Sequence, residues 1–174
     1  MNKWDIRFMK MAYLISEWTS CNVEGRSIGA VIVKDKRIMT TGYNGAPAGV
    51  RTCVERGECM RKKLGIASGT RQEMCYATHA EQNAIIQAAK LGVSIDGATL
   101  YCTHQPCVIC SKMIVNAGIT RVVYKEGYPD DFSLQMLREG PYPWPLKRRI
   151  EGSSGHMDNV ETGNLLRKTM WEGR

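Results

Sequence analysis

His79 and Glu81, one residue apart, stand some two dozen residues before Pro106-Cys107-Val108-Ile109-Cys110, and their types and spacing could do chemistry. One imidazole and two thiolates offer three protein ligands to a tetrahedral zinc ion. The fourth position is then open to water, the coordination of a catalytic site rather than a closed structural one. Bound zinc lowers the pKa of that water from about 15.7 to about 7, which gives a hydroxide nucleophile at neutral pH. The leaving group still needs protons, and Glu81, not required as a ligand, is placed to carry them. A Cys-x-x-Cys pair alone would equally suit a structural zinc knuckle, with Glu81 merely capping a helix. The His-x-Glu pair and the proline ahead of Cys107 favour the catalytic reading.

The elements that must position these groups follow from periodicity. Ala84, Ile85, Ala88, Ala89 and Leu91 trace one apolar face of a helix that starts near residue 78 and ends at Gly92. His79 and Glu81 fall in its first turn, where the positive end of the helix dipole favours an anionic carboxylate. Pro106 suits the first turn of a second helix, running to about residue 117 with Gly118 as its cap. Cys107 and Cys110 then lie at a helix N-terminus, which stabilises thiolates. Residues 98–103 alternate as a strand in which Cys102 is expected to be buried and inert, and residues 120–124 form another.

Upstream, Trp4, Phe8, Met11, Ala12 and Ile15 share one face of a helix over residues 3–18, as core-packing residues. Residues 28–33 and 37–42 are β-rich and joined by a short polar link, which predicts an antiparallel hairpin. The second strand runs into Gly42-Tyr43-Asn44-Gly45-Ala46-Pro47, a tight turn. An Asn44 amide held on such a loop can also bond a sugar hydroxyl. Cys53, Cys59 and Cys75 lie in a stretch of weak periodicity, with Cys21 upstream. These four thiols are either buried small hydrophobes or the ligands of a second, structural zinc. Residues 130–139 form a last short helix packed through Leu134 and Leu137.

The order helix, strand, strand, helix, strand, helix, strand predicts an α/β fold: a three-layer αβα sandwich with a mixed central sheet. Residues 1–139 make one domain. Residues 140–174 are a Pro- and Gly-rich extension, with a linker-like stretch at 152–157 and a marginal terminal helix around Leu165, Leu166 and Met170. At 174 residues and 43% hydrophobic the chain can bury a full core. It has no long apolar run, and the charged first ten residues lack a signal segment, so a cytoplasmic protein without membrane association is expected. The net charge of +7 comes from scattered residues, Arg61-Lys62-Lys63 being the nearest thing to a cluster and reading as solvated surface. A phosphorylated small substrate suits that balance as well as nucleic acid does.

With Gly42-Tyr43-Asn44-Gly45, His79-Ala80-Glu81 and Pro106-Cys107-x-x-Cys110 in place, the chain resembles the deoxycytidylate (dCMP) deaminases, including the bacterial late-competence deaminase proteins. The resemblance spans roughly residues 5–139, and Thr70-Arg71-Gln72-Glu73-Met74-Cys75 narrows it within the cytidine deaminase-like superfamily. It implies catalytic zinc on His79, Cys107 and Cys110, Glu81 as proton shuttle, and substrate contacts from Asn44, Ala80, Thr103 and Arg26. It further implies a structural zinc on Cys21, Cys53 and Cys75 with Cys59 as fourth ligand. A homo-oligomer, a hexamer in the family, would be regulated by dCTP and dTTP, with Mg²⁺ accompanying the nucleotide effector. The implied reaction turns dCMP into dUMP for thymidylate synthesis. Two rivals are a tRNA or single-stranded nucleic-acid base deaminase and a zinc-stabilised DNA-uptake or scaffold protein without turnover. Nucleic acid is not the expected partner, since two Phe give little for bases to stack on.

Overall fold

The computed structural model describes residues 2–67, 69–127 and 130–140, so the proposed features of the C-terminal extension beyond 140 lie outside the described residues. The chain opens with α1 (Lys3–Ser16), started by a capping box in which Asn2 accepts from the Trp4 and Asp5 amides while Asp5 accepts from Asn2. Then follow β1 (Gly29–Lys34), β2 (Arg37–Tyr43), short helices α2 (Cys53–Arg56) and α3 (Met60–Lys63), and a 3₁₀ turn at Gln72–Met74. The second half alternates α4 (Ala80–Leu91), β3 (Thr99–His104), α5 (Val108–Asn116), β4 (Arg121–Glu126) and α6 (Asp131–Glu139).

The four strands form one sheet in the order β2-β1-β3-β4. β1 pairs antiparallel with both neighbours and β3 pairs parallel with β4, so the sheet is mixed as expected. The hairpin between β1 and β2 turns on Asp35 and Lys36 alone, both at positive φ (50° and 61°). That backbone matches the twist of the flanking strands. Helices cover both faces. Phe8, Ala12 and Ile15 of α1 pack with Val31, Tyr101 and Val123 on one side. On the other, Ala80, Ala84 and Ala88 of α4 and Cys110 and Ile114 of α5 pack with Ala30, Ile32, Leu100, Cys102 and Val122. The three-layer αβα arrangement is the one the sequence predicts.

Two contacts set how closely the helices lie. A Cβ on Gly29 would run into the Ala12 carbonyl of α1, and one on Gly42 into the Ala80 carbonyl of α4. Thr40 on β2 donates to the Ala84 carbonyl at 2.9 Å. The expected Ala84 and Ala88 lie against the sheet with Ile85 packed beside them, and only the edge of the expected face is corrected. The buried stripe extends to Ala80 and Glu81, whereas Ala89 and Leu91 are exposed. Only small side chains fit at the sheet contact. In α1, Met9 and Asp5 join the buried face, and Trp4 and Met11 are only partly covered.

Candidate metal and deaminase site

His79 is the N-cap of α4 and Cys107 the N-cap of α5, so both ligand segments enter their helices at one end of the sheet. Pro106 is fully buried and precedes that cap, two residues ahead of the first-turn position expected for it. The displacement follows from Cys107: as N-cap it keeps extended backbone and turns its thiol toward His79. His79 Nδ1 lies 3.6 Å from Cys107 Sγ and 3.4 Å from Cys110 Sγ, and the three ligand atoms all fall within 4.8 Å of one another. A tetrahedral ion with bonds of about 2.0–2.1 Å to nitrogen and 2.3 Å to sulfur holds such atoms roughly 3.5–3.8 Å apart. The residues therefore fit zinc in donor type, number and spacing.

Electrostatics agree with that fit. The two thiols share one proton: Cys110 donates to Cys107, which pulls the Cys107 thiol down to about 4 against burial, with His79 adding to the effect. Cys110, the donor, is correspondingly pushed up. His79 is raised above its ordinary value, chiefly by its hydrogen bond with Cys107, although burial opposes this. Glu81 is only 4% exposed, and burial pushes its carboxyl above the usual carboxylate range. A buried carboxyl beside three metal donors, itself outside the donor set, is suited to taking and returning protons.

Other predicted residues sit less simply. Asn44 is buried, but its amide is engaged by the chain itself: Oδ1 accepts from the Ile28 amide at 2.8 Å and Nδ2 donates to the Arg26 carbonyl at 2.7 Å. It thereby ties the Arg26–Ile28 segment to the Gly42–Gly45 turn. Thr103 is fully buried, and its hydroxyl accepts from the Gly29 amide at 3.3 Å on the side of the sheet that α1 covers. Ala80 is fully buried between α4 and the sheet. Arg26 is partly buried close to Cys21, whose thiol its charge helps to lower while burial raises it. Cys102 is fully buried and its thiol is pushed up by that burial, as expected of an inert residue.

Cys21, Cys53, Cys59 and Cys75 are near enough that each of the other three thiols bears on Cys53, and Cys59 and Cys75 bear on Cys21. They do not close into a ligand set. Among the described residues His79, Cys107 and Cys110 are the sole His/Cys/Asp/Glu group of metal-binding spacing.

The basic run at 61–63 is corrected. Arg61 is 8% exposed, and its guanidinium donates to the Ala67 and Thr70 carbonyls, holding the loop that leads to α4. Only Lys62 and Lys63 are exposed. Composition gave no sign of this, because a clamp on main-chain carbonyls leaves no pattern in side-chain types.

A mixed sheet backs two helix N-termini that bring one imidazole and two thiols to metal-binding spacing, with the buried Glu81 carboxyl near them: the donor set of a zinc centre. A model of the family described as "Cytidine and deoxycytidylate deaminase zinc-binding region" matches residues 2–126, and the chain belongs to that family. It is 41% identical over 126 residues to ComE operon protein 2 of Bacillus subtilis, covering 72% of this chain and 60% of that protein. It is 40% identical over 126 residues to the deoxycytidylate deaminase of Mycobacterium phage D29, covering 70% of this chain and 93% of that one. The solved dCMP deaminase of cyanophage S-TIM5, in complex with dCMP and dUMP, superposes with a TM-score of 0.66 at 34% identity over 83% of this chain and 97% of that one. Among the described residues no helix is long and apolar enough to cross a membrane.

Proposed function

We propose that the protein hydrolytically deaminates dCMP to dUMP and ammonia. The observation that carries this reading is Glu81, a buried carboxyl two residues beyond His79 and near enough to bear electrostatically on Cys107 and Cys110, the thiols that complete a three-donor set. Zinc bound by His79, Cys107 and Cys110 would supply a Lewis acid that makes water a nucleophile near neutral pH. Glu81 takes a proton from the attacking water and delivers it to N3 of the cytosine ring. It then takes the proton of the new C4 hydroxyl and hands it to the 4-amino group, so that C4=O forms as the C4–N bond breaks and ammonia leaves. Burial favours this cycle, because a carboxyl with a raised pKa is both a usable acid and a usable base.

Asn44 holds the Arg26–Ile28 segment to the Gly42–Gly45 turn, and contacts to the sugar and phosphate would come from these two joined segments. The mutual proximity of Cys21, Cys53, Cys59 and Cys75 is compatible with a structural zinc that would draw these four thiols together. Regulation by dCTP and dTTP with Mg²⁺, a homo-oligomeric state, a cytoplasmic setting and supply of dUMP for thymidylate synthesis rest on the family alone.

The test is ammonia release by zinc-loaded protein from dCMP, CMP, deoxycytidine, dCTP and a tRNA pool, each with and without dCTP or dTTP. Turnover of dCMP modulated by the triphosphates is the expected result. Turnover of tRNA alone, or of nothing with zinc present, overturns the reading in favour of one of its two rivals.

A further inference from the structure

Cys107 presents a conflict at the start of α5. It occupies the N-cap position, yet its side chain makes no cap hydrogen bond because the thiol is turned to His79. A helix start left without a cap leaves amide hydrogens unpaired. The missing acceptor comes from a segment far along the chain. Asp130 Oδ2 accepts from the Val108 amide at 3.0 Å, while its Oδ1 accepts from the Ser133 amide at 2.8 Å. One carboxyl thus caps α5 and α6 together.

Four further bonds hold the same stretch of chain. Ser133 Oγ donates to the Pro106 carbonyl at 2.8 Å. Gln105 Nε2 donates to the Asp130 carbonyl at 3.0 Å and to Ser133 Oγ at 3.3 Å, and the Gln105 amide donates to the Glu126 carbonyl at 2.8 Å. Residues 105, 106 and 108 are each held, and the one between them is Cys107. Gln105 is 7% exposed and Ser133 is fully buried, so water offers little competition for these bonds. One turn further on, fully buried Leu137 anchors α6 in the core cluster that contains Cys107 and Cys110.

We propose that Asp130 and Ser133 are positioning residues for the zinc thiolates: they fix the backbone on either side of Cys107, and through the first turn of α5 that of Cys110, at the spacing the ion requires. Asp130 supplies the cap that a metal-ligating cysteine cannot. α6 is then an outer support of the metal site as well as a packing element. Partners that orient ligands in this way typically change metal affinity or activity by about 10- to 100-fold when removed.

The inference rests on the zinc reading of the site, and its test separates the two. Zinc-loaded full-length protein and the variants Asp130→Asn, Asp130→Ala and Ser133→Ala are titrated with a chelating dye, and the cobalt-substituted forms are compared by absorption. Asparagine is a good N-cap but has a single acceptor oxygen, so Asp130→Asn can cap α6 or hold Val108 and cannot do both. It keeps the variant foldable even if Asp130→Ala fails to fold. Gln135→Ala, which removes an exposed bond to Glu139 on the same helix, is the control. The expected result is a loss of zinc affinity of about tenfold or more in Asp130→Asn and Ser133→Ala. The thiolate-to-cobalt bands should shift in the same two variants, with neither effect in Gln135→Ala. Unchanged affinity and cobalt spectra overturn the proposal, including the case where only the melting temperature falls. A wild-type chain that takes up no zinc would instead overturn the zinc reading itself.

Discussion

Gly42 on β2 lies directly beneath the Ala80 carbonyl of α4, so close that a Cβ at Gly42 would collide with backbone rather than with a movable side chain. The contact sits between the two functional residues of that helix, His79 and Glu81. A Gly42→Ala chain must lift the start of α4 from the sheet. Overpacking of this kind costs about 1–3 kcal/mol, and here it also displaces His79 and Glu81, to which the proposed function gives the metal-binding and proton-carrying roles. The melting temperature should fall, and ammonia release should fall by a larger factor than the loss of folded protein explains. Gly127→Ala, where a Cβ meets nothing within 4 Å, should leave both measurements unchanged.

Glu81→Gln separates chemistry from metal binding. Glutamine keeps the shape of the side chain and cannot carry a proton, while the donors His79, Cys107 and Cys110 are untouched. Turnover should fall by at least about 10²- to 10⁴-fold, the span attributed to a general acid–base, with zinc content by metal analysis unchanged. Stability should hold or rise, because burial disfavours the ionised carboxyl that the substitution removes. Full activity in this variant would remove Glu81 from the mechanism.

What could be read in the sequence was what local spacing encodes. His79-x-Glu81 and Cys107-x-x-Cys110 each sit at a single helix start, so two short motifs were enough to point to the cluster of His79, Cys107 and Cys110 with the buried Glu81 near it. The alternating strands and helices gave the layer order. Contacts between distant segments left no such trace. Asp130 looked only like the start of a last helix, and nothing in its neighbourhood points to Val108. Arg61 looked like one of three surface cations, whereas its partners are main-chain carbonyls that every residue carries. On α4 periodicity located Ala84, Ile85 and Ala88 correctly, but the close contact at Gly42 carries the buried stripe on to Ala80 and Glu81 and leaves Ala89 and Leu91 exposed.

Cys107 should report on metal occupancy. In metal-free protein the Cys110 thiol and the His79 imidazole beside it hold the Cys107 thiol well below the usual thiol range, which favours its thiolate near neutral pH. Alkylation of Cys107 after chelation should therefore proceed at a rate nearly independent of pH above about 6, and zinc should suppress it. Cys110 and Cys102, both fully buried and both raised, should be modified only on unfolding. Peptide mapping after timed alkylation reads all three, and modification of Cys102 before Cys107 would contradict the arrangement.

The other face of the sheet carries the acid sensitivity. Asp5 of α1 is 1% exposed and meets Arg121 of β4 through two bonds, Oδ1 to Nη1 at 2.8 Å and Oδ2 to Nη2 at 3.0 Å, with the Tyr101 hydroxyl donating to Oδ1 at 2.9 Å. Burial pushes the carboxyl up, but Arg121, Tyr101 and the Asn2 amide outweigh it and bring Asp5 to about 2. A folded value below the unfolded one means the carboxylate adds stability that is complete above about pH 5 and is lost as pH falls toward 2. The difference corresponds to about 2 kcal/mol. Asp5→Asn has no such term: it should be less stable at pH 7, by about 3 kcal/mol as for a broken buried pair, and its stability should decline less steeply between pH 5 and 2. Urea denaturation of both chains across that range measures the slopes directly. Equal slopes would mean that the acid sensitivity lies in other carboxylates, and that α1 is held to the sheet by Phe8, Ala12 and Ile15 without help from the ion pair.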